Sequence, residues 1–140
     1  MNLTKEMKTL MAYCYVRDAA HHYEYVLDKR DGHQAVRLFL SELQYLYLEV
    51  TDEEDIIRVT HYEVVKSYYY PSPRCGYLNK YFKKYRAGNY NGASIALVPL
   101  GNLIQILETI DATSVYSAMS DSSNRATNPY ISIRRATGRF

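Results

Sequence analysis

Gln34–Val50 reads QAVRLFLSELQYLYLEV, and the period of its apolar residues decides the fold. Val36, Phe39, Leu40, Leu43, Tyr47 and Val50 recur at three- and four-residue spacing, with Leu46 beside them, which is the stripe of an amphipathic helix. Asp31 or His33 can cap its start, and Gln34, three residues after Asp31, completes a capping-box pattern. On this reading a helix over 34–50 stands at the centre of the core. The domain is then mainly α: a compact bundle of four to five helices, with at most a small two-stranded β element near the C-terminus.

Upstream, residues 3–29 carry Leu3, Met7, Leu10, Met11, Cys14 and Tyr15 near one helical face, continued by Ala19, His22 and Val26, and Asp31-Gly32 supplies a turn. Downstream, Thr51 and Glu54 fit a second capping box, and Asp52, Glu53, Glu54 and Asp55 would then occupy a first helical turn, where the dipole favours negative charge. Ile57, Thr60 or His61, Val64 and Tyr68 make the stripe of that third helix. The run is rich in β-branched residues, so a strand from Ile56 to Tyr70 is the alternative.

Pro71 and Pro73 force an extended link. A short helix from Tyr77 to Arg86 follows, with Tyr77, Tyr81 and Tyr85 on one face and Leu78 and Phe82 on an adjoining strip. Ser94–Val98, SIALV, reads as a buried strand ended by Pro99. Asn102 and Gln105 open a last helix with Leu103, Ile106, Leu107 and Ile110, running toward Met119. The composition changes at Ser120. The chain divides into a helical domain, 1–119, and a polar linker with a basic tail, 120–140, whose YISIR segment can add an edge strand.

The chain has 140 residues, with 16 Tyr against 3 Phe and no Trp. Tyr buries a ring and keeps a polar tip, so it suits rims and interfaces. The net charge of +2 hides a split: residues 1–63 hold 7 bases and 12 acids, residues 64–140 hold 10 bases and 3 acids. Such halves either face each other within the fold or form separate faces, and they could meet across the two-fold axis of a homodimer. Cys14 and Cys75 are the only cysteines, nothing resembles a signal peptide, and no apolar run approaches the ~20 residues of a membrane span. We expect a cytoplasmic protein with free thiols and no membrane partner.

Chemical constellations are weak. Cys14, Asp18 and His22 stand four apart and would share a helical face, with His21 adjacent and His61 or Glu42 as distant donors, but no fourth zinc ligand is evident. Cys75 beside Arg74 precedes a helix, which would lower a thiol pKa, yet only His61 suggests itself as a base. Gly88–Gly92 lacks the Gly-Lys-Ser/Thr ending of a phosphate loop. No enzyme, metal or cofactor is therefore expected.

The distinctive stretch is Val64–Asn91. No acid occurs from Val64 to Leu107, and Lys66, Arg74, Lys80, Lys83, Lys84 and Arg86 are interleaved with tyrosines. The expected binding residues are Tyr69, Tyr70, Arg74, Tyr77, Lys80, Tyr81, Lys83, Lys84, Tyr85 and Arg86, joined by Arg134 and Arg135 of the tail. The function this suggests is a small non-enzymatic interaction protein that occupies a surface on another protein or nucleoprotein. Its composition is compatible with a phage, viral or mobile-element accessory that blocks a nucleic-acid-processing machine, as anti-CRISPR proteins do. The alternative is direct nucleic-acid binding, in a virion or packaging context.

Overall fold

The segment 34–50 forms an antiparallel hairpin, not a helix. The computed structural model describes residues 2–17, 22–65, 68–71, 76–90 and 93–120. In it β2 (His33–Ser41) pairs with β3 (Gln44–Val50) from Ala35↔Glu49 to Phe39↔Tyr45, with a register shift before Ser41↔Gln44. The operative period is two. Val36, Leu38, Leu46 and Leu48 fall on one face; Arg37, Phe39, Tyr45, Tyr47 and Glu49 fall on the other. Both faces carry apolar side chains, so three- and four-residue spacings arise in the same string without a helix.

The chain opens with α1 (Lys5–Val16), capped by the Thr4 hydroxyl, which accepts the Met7 N–H at 3.0 Å. It continues through β1 (His22–Asp28), β2, β3, β4 (Ile56–Val65) and β5 (Tyr68–Pro71). Then come α2 (Gly76–Tyr81), a 3-10 turn at Lys83–Tyr85, β6 (Arg86–Tyr90), β7 (Ala93–Pro99) and α3 (Leu100–Ser120). The seven strands make one antiparallel sheet in the order β1-β2-β3-β4-β7-β6. The long β4 divides its second edge between two partners: Ile56–Thr60 pairs with β7, and Tyr62–Val65 pairs with β5.

The expected helical bundle is therefore replaced by a sheet-dominated α+β fold. The N-terminal helix stops at Val16, and His22–Asp28 is a strand. The third helix expected after Thr51 does not form: where the alternative had one strand from Ile56 to Tyr70, two antiparallel strands stand, β4 and β5. SIALV lies within β7, which is an interior strand and not a peripheral element. The Asp31-Gly32 turn stands as read, with Gly32 at φ +74° and the Asp31 carboxylate accepting the His33 N–H at 2.8 Å. Residues 121–140, including YISIR, lie outside the described residues.

All three helices pack on one face of the sheet. Met7, Leu10 and Cys14 of α1, Leu78 and Phe82 of the α2 region, and Leu100, Leu103, Leu107 and Ile110 of α3 join Val36, Leu38, Leu46, Leu48, Ile57, Val59, Ala96 and Val98 in the main core. No helix among the described residues is long and apolar enough to cross a membrane.

The acidic run after β3 is a turn, not a helix start. The Thr51 hydroxyl accepts the Glu53 N–H and donates to the Ile56 carbonyl, folding the chain back on itself. Asp55 takes φ +62° there, and its carbonyl accepts the Leu100 N–H at 2.7 Å. The buried Glu6 carboxylate accepts the Asp55 N–H at 2.9 Å, and Lys5 pairs with Glu54 and Asp55. Thus α1 pins the β3–β4 turn. That backbone N–H is the main reason the Glu6 pKa is depressed below its usual 4.5. A depressed acid stabilises the fold above its unfolded pKa and loses that contribution as pH falls through its folded value. Urea melts should therefore show stability falling below about pH 4.5, and Glu6→Gln should flatten that slope.

Candidate functional site

The basic segment is built on two buried anchors. Leu78 and Phe82 are fully buried against the sheet, which fixes α2 and the 3-10 turn and leaves Lys80, Lys83, Lys84 and Arg86 exposed in one short ridge leading into β6. Tyr81 and Tyr85 are half-buried and pack beside the main core. Two lysines cover rings: Lys80 Nζ lies 5.2 Å from the Tyr81 ring centroid and Lys84 Nζ 5.3 Å from that of Tyr85. No carboxylate among the described residues pairs with Lys80, Lys83 or Lys84. The Arg86 guanidinium donates to Ser94 Oγ at 3.0 Å. Tyr69 and Tyr70 lie on β5 and Tyr77 on α2, but their side chains, like the whole of Arg74, Cys75, Arg134 and Arg135, lie outside the described residues.

Among the described residues, the ion pairs of the acidic half are mostly internal to it. Arg37–Glu24, Arg58–Glu49 and Lys5–Glu54 all lie within residues 1–63. Among the described residues an ion pair that crosses, Arg17–Asp111, takes its base from the acidic half.

The face of the sheet without a helix among the described residues, the helix-free face, carries a cluster that the helical reading dispersed. Phe39 and Tyr45 are buried there, with Tyr47 and Tyr62 packed on them. The rings of Tyr45 and Tyr62 stack at 5.0 Å and 7°, and Tyr47 meets Tyr62 edge-on at 6.0 Å. Arg37 lies over Tyr45 and Tyr47 at 5.9 and 5.8 Å. Its Nη1 is 3.4 Å from Glu24, and His33 Nε2 meets the Tyr47 hydroxyl at 2.8 Å. Burial pushes the Tyr47 phenol up to about 12, with Glu49 adding to it, and burial also raises the Glu49 carboxyl. The acids and bases of this cluster answer one another, and it serves as a second, smaller core. Alternation in Tyr45-Leu46-Tyr47-Leu48 is the signal that would have revealed it.

No family model matches this sequence, and neither a curated protein nor a solved structure does. The site must therefore be read from its own chemistry.

Cys14 and His22 do not share the helical face that their spacing suggested. Cys14 is a free, buried thiol in the main core, pushed up to about 12 by burial and then by Asp111. His22 lies on β1 and packs against Phe39 on the helix-free face. His61 points to the opposite, helix-covered face, where its Nε2 is 2.8 Å from Gln44 Oε1 and burial lowers its pKa. Asp18 and His21 lie outside the described residues. No grouping of three metal-ligating side chains occurs among the described residues.

Proposed function

We propose that this protein is a non-enzymatic binding module that docks its basic ridge, Lys80, Lys83, Lys84 and Arg86, on an acidic surface of a larger protein or nucleoprotein. The observation that carries this reading is three exposed ammonium groups in one turn and a half, anchored from beneath by Leu78 and Phe82, with no carboxylate among the described residues against them. Such a ridge supplies orientation and encounter rate through complementary charge. The rings beside it are half-buried, each with a lysine ammonium over it, so they favour Coulombic docking over the base stacking of a single-stranded nucleic-acid platform. A modest sequence pI of about 8.4 points the same way. Interference with a nucleic-acid-processing machine in the cytoplasm is the narrower form of this reading, supported by composition alone.

Affinity capture from lysate, with and without nuclease, tests it. Lys80→Glu with Lys84→Glu should weaken a nuclease-resistant protein partner by at least about tenfold, since like charges then meet across the contact. Unchanged capture would remove the ridge from the interface. A partner lost on nuclease treatment, together with a gel shift that collapses between low and moderate salt, would replace this reading with direct nucleic-acid binding.

A further inference from the structure

The two borders of the sheet are unlike. β6 is short, carries Arg86, shifts register between Arg86 and Asn89, and holds Gly88 at φ +94°. Bulges and charge are how proteins blunt a sheet edge. β1 has no bulge and no Lys or Arg; its two charges, Glu24 and Asp28, both lie on the face away from the helices. It pairs with β2 in unbroken register from His22↔Phe39 to Asp28↔His33, contains no Gly, Pro or Lys, and carries no strand on its outer side among the described residues. Tyr25 and Leu27 are 38% and 45% exposed on its helix-side face. Tyr15, 78% exposed, follows Thr4 by about three turns of α1 and so shares the strip from which Thr4 reaches Gln34 beside β1.

From this edge we infer that two copies of the chain join β1 to β1, antiparallel, about a two-fold axis through Tyr25. The strand is self-complementary in that register. Tyr25 faces the partner's Tyr25, Tyr23 faces the partner's Leu27, and His22 faces the partner's Asp28. Glu24 falls opposite the partner's Val26, so no like charges meet directly. Tyr23, Tyr25 and Leu27 share one face, and His22, Glu24, Val26 and Asp28 the other, as the two-residue period of a strand requires. An isologous contact of this kind closes on itself and removes both vulnerable edges. The basic ridge lies by the opposite border, so the dimer presents two ridges at the far ends of one continuous sheet. The inference stands independently of what the ridges bind.

Analytical ultracentrifugation of the full chain should show a dimer. Tyr25→Lys, which places two ammonium groups on the axis, should raise the dimer dissociation constant by at least about tenfold while circular dichroism, and the urea midpoint taken at a concentration where the parent is monomeric, stay unchanged. Leu27→Lys should do the same. In a Cys75→Ser background, Tyr25→Cys should give a disulfide-linked dimer on mild oxidation, and Leu27→Cys should not, because it faces Tyr23. A monomer at about 100 µM, well above the range of specific dimers, would overturn the inference. So would a dimer that survives both lysine variants, or cross-linking through residue 27 and not 25.

Discussion

Leu48→Ala is expected to lower the stability of the domain by about 2–5 kcal/mol. Leu48 is fully buried on the helix-covered face, between Val36 of β2 and Val59 of β4. Truncation removes its own transfer free energy and leaves a cavity in a sheet that α1 and α3 hold from above. Interior packing is dense and relaxes only in part, so the cavity adds to the cost. Leu43 is the informative contrast. It lies in the β2–β3 turn and is 60% exposed, and Leu43→Ala should change stability by no more than about 0.5 kcal/mol. A helix over 34–50 orders the two substitutions the other way, because its stripe includes Leu43 and omits Leu48. Urea denaturation of both variants decides between them. A Leu43→Ala effect equal to or larger than that of Leu48→Ala would contradict the hairpin.

That contrast also shows what the sequence could and could not carry. The start of α1 was legible because the Met7/Leu10/Cys14 spacing acts locally, and the last helix for a similar reason: Leu103, Leu107 and Ile110 repeat at helical spacing soon after Pro99 closes β7. The Asp31-Gly32 turn was legible because only a few residues adopt its backbone readily. The central sheet was not. Tyr45 and Tyr47 belong to a second core on the helix-free face, so each strand of the hairpin is apolar on both sides and period two is masked. Thr51-x-x-Glu54 satisfies a helix cap on paper, yet the same hydroxyl serves a tight turn, and which one forms is settled by Glu6 reaching from α1. No local pattern contains that contact. Among the candidate binding residues, exposure of Lys80, Lys83 and Lys84 followed from composition. Half-burial of Tyr81 and Tyr85 did not, because it depends on Leu78 and Phe82 claiming the inward face.

Asp111→Ala should be the other strongly destabilising change, by about 2–4 kcal/mol. Asp111 is a buried carboxylate on α3 that accepts the Tyr13 hydroxyl and lies 3.1 Å from Arg17 Nε, tying the C-terminal end of α1 to α3. Alanine leaves the half-buried Tyr13 phenol, whose pKa burial and this carboxylate both raise, without that acceptor. Arg17 is over a third exposed, so water screens its share of the attraction and the hydrogen bond from Tyr13 is the larger loss. Asp111→Asn keeps the shape and an acceptor oxygen and should cost less. The same pair of variants has a second readout at Cys14, one turn of α1 from Arg17 and held in the core. Loosening the end of α1 should expose that thiol, so in a Cys75→Ser background it should react with a thiol reagent under native conditions faster in Asp111→Ala than in the parent. Equal labelling rates with a lowered urea midpoint would mean that the helix end stays docked and that the cost falls on the global fold alone.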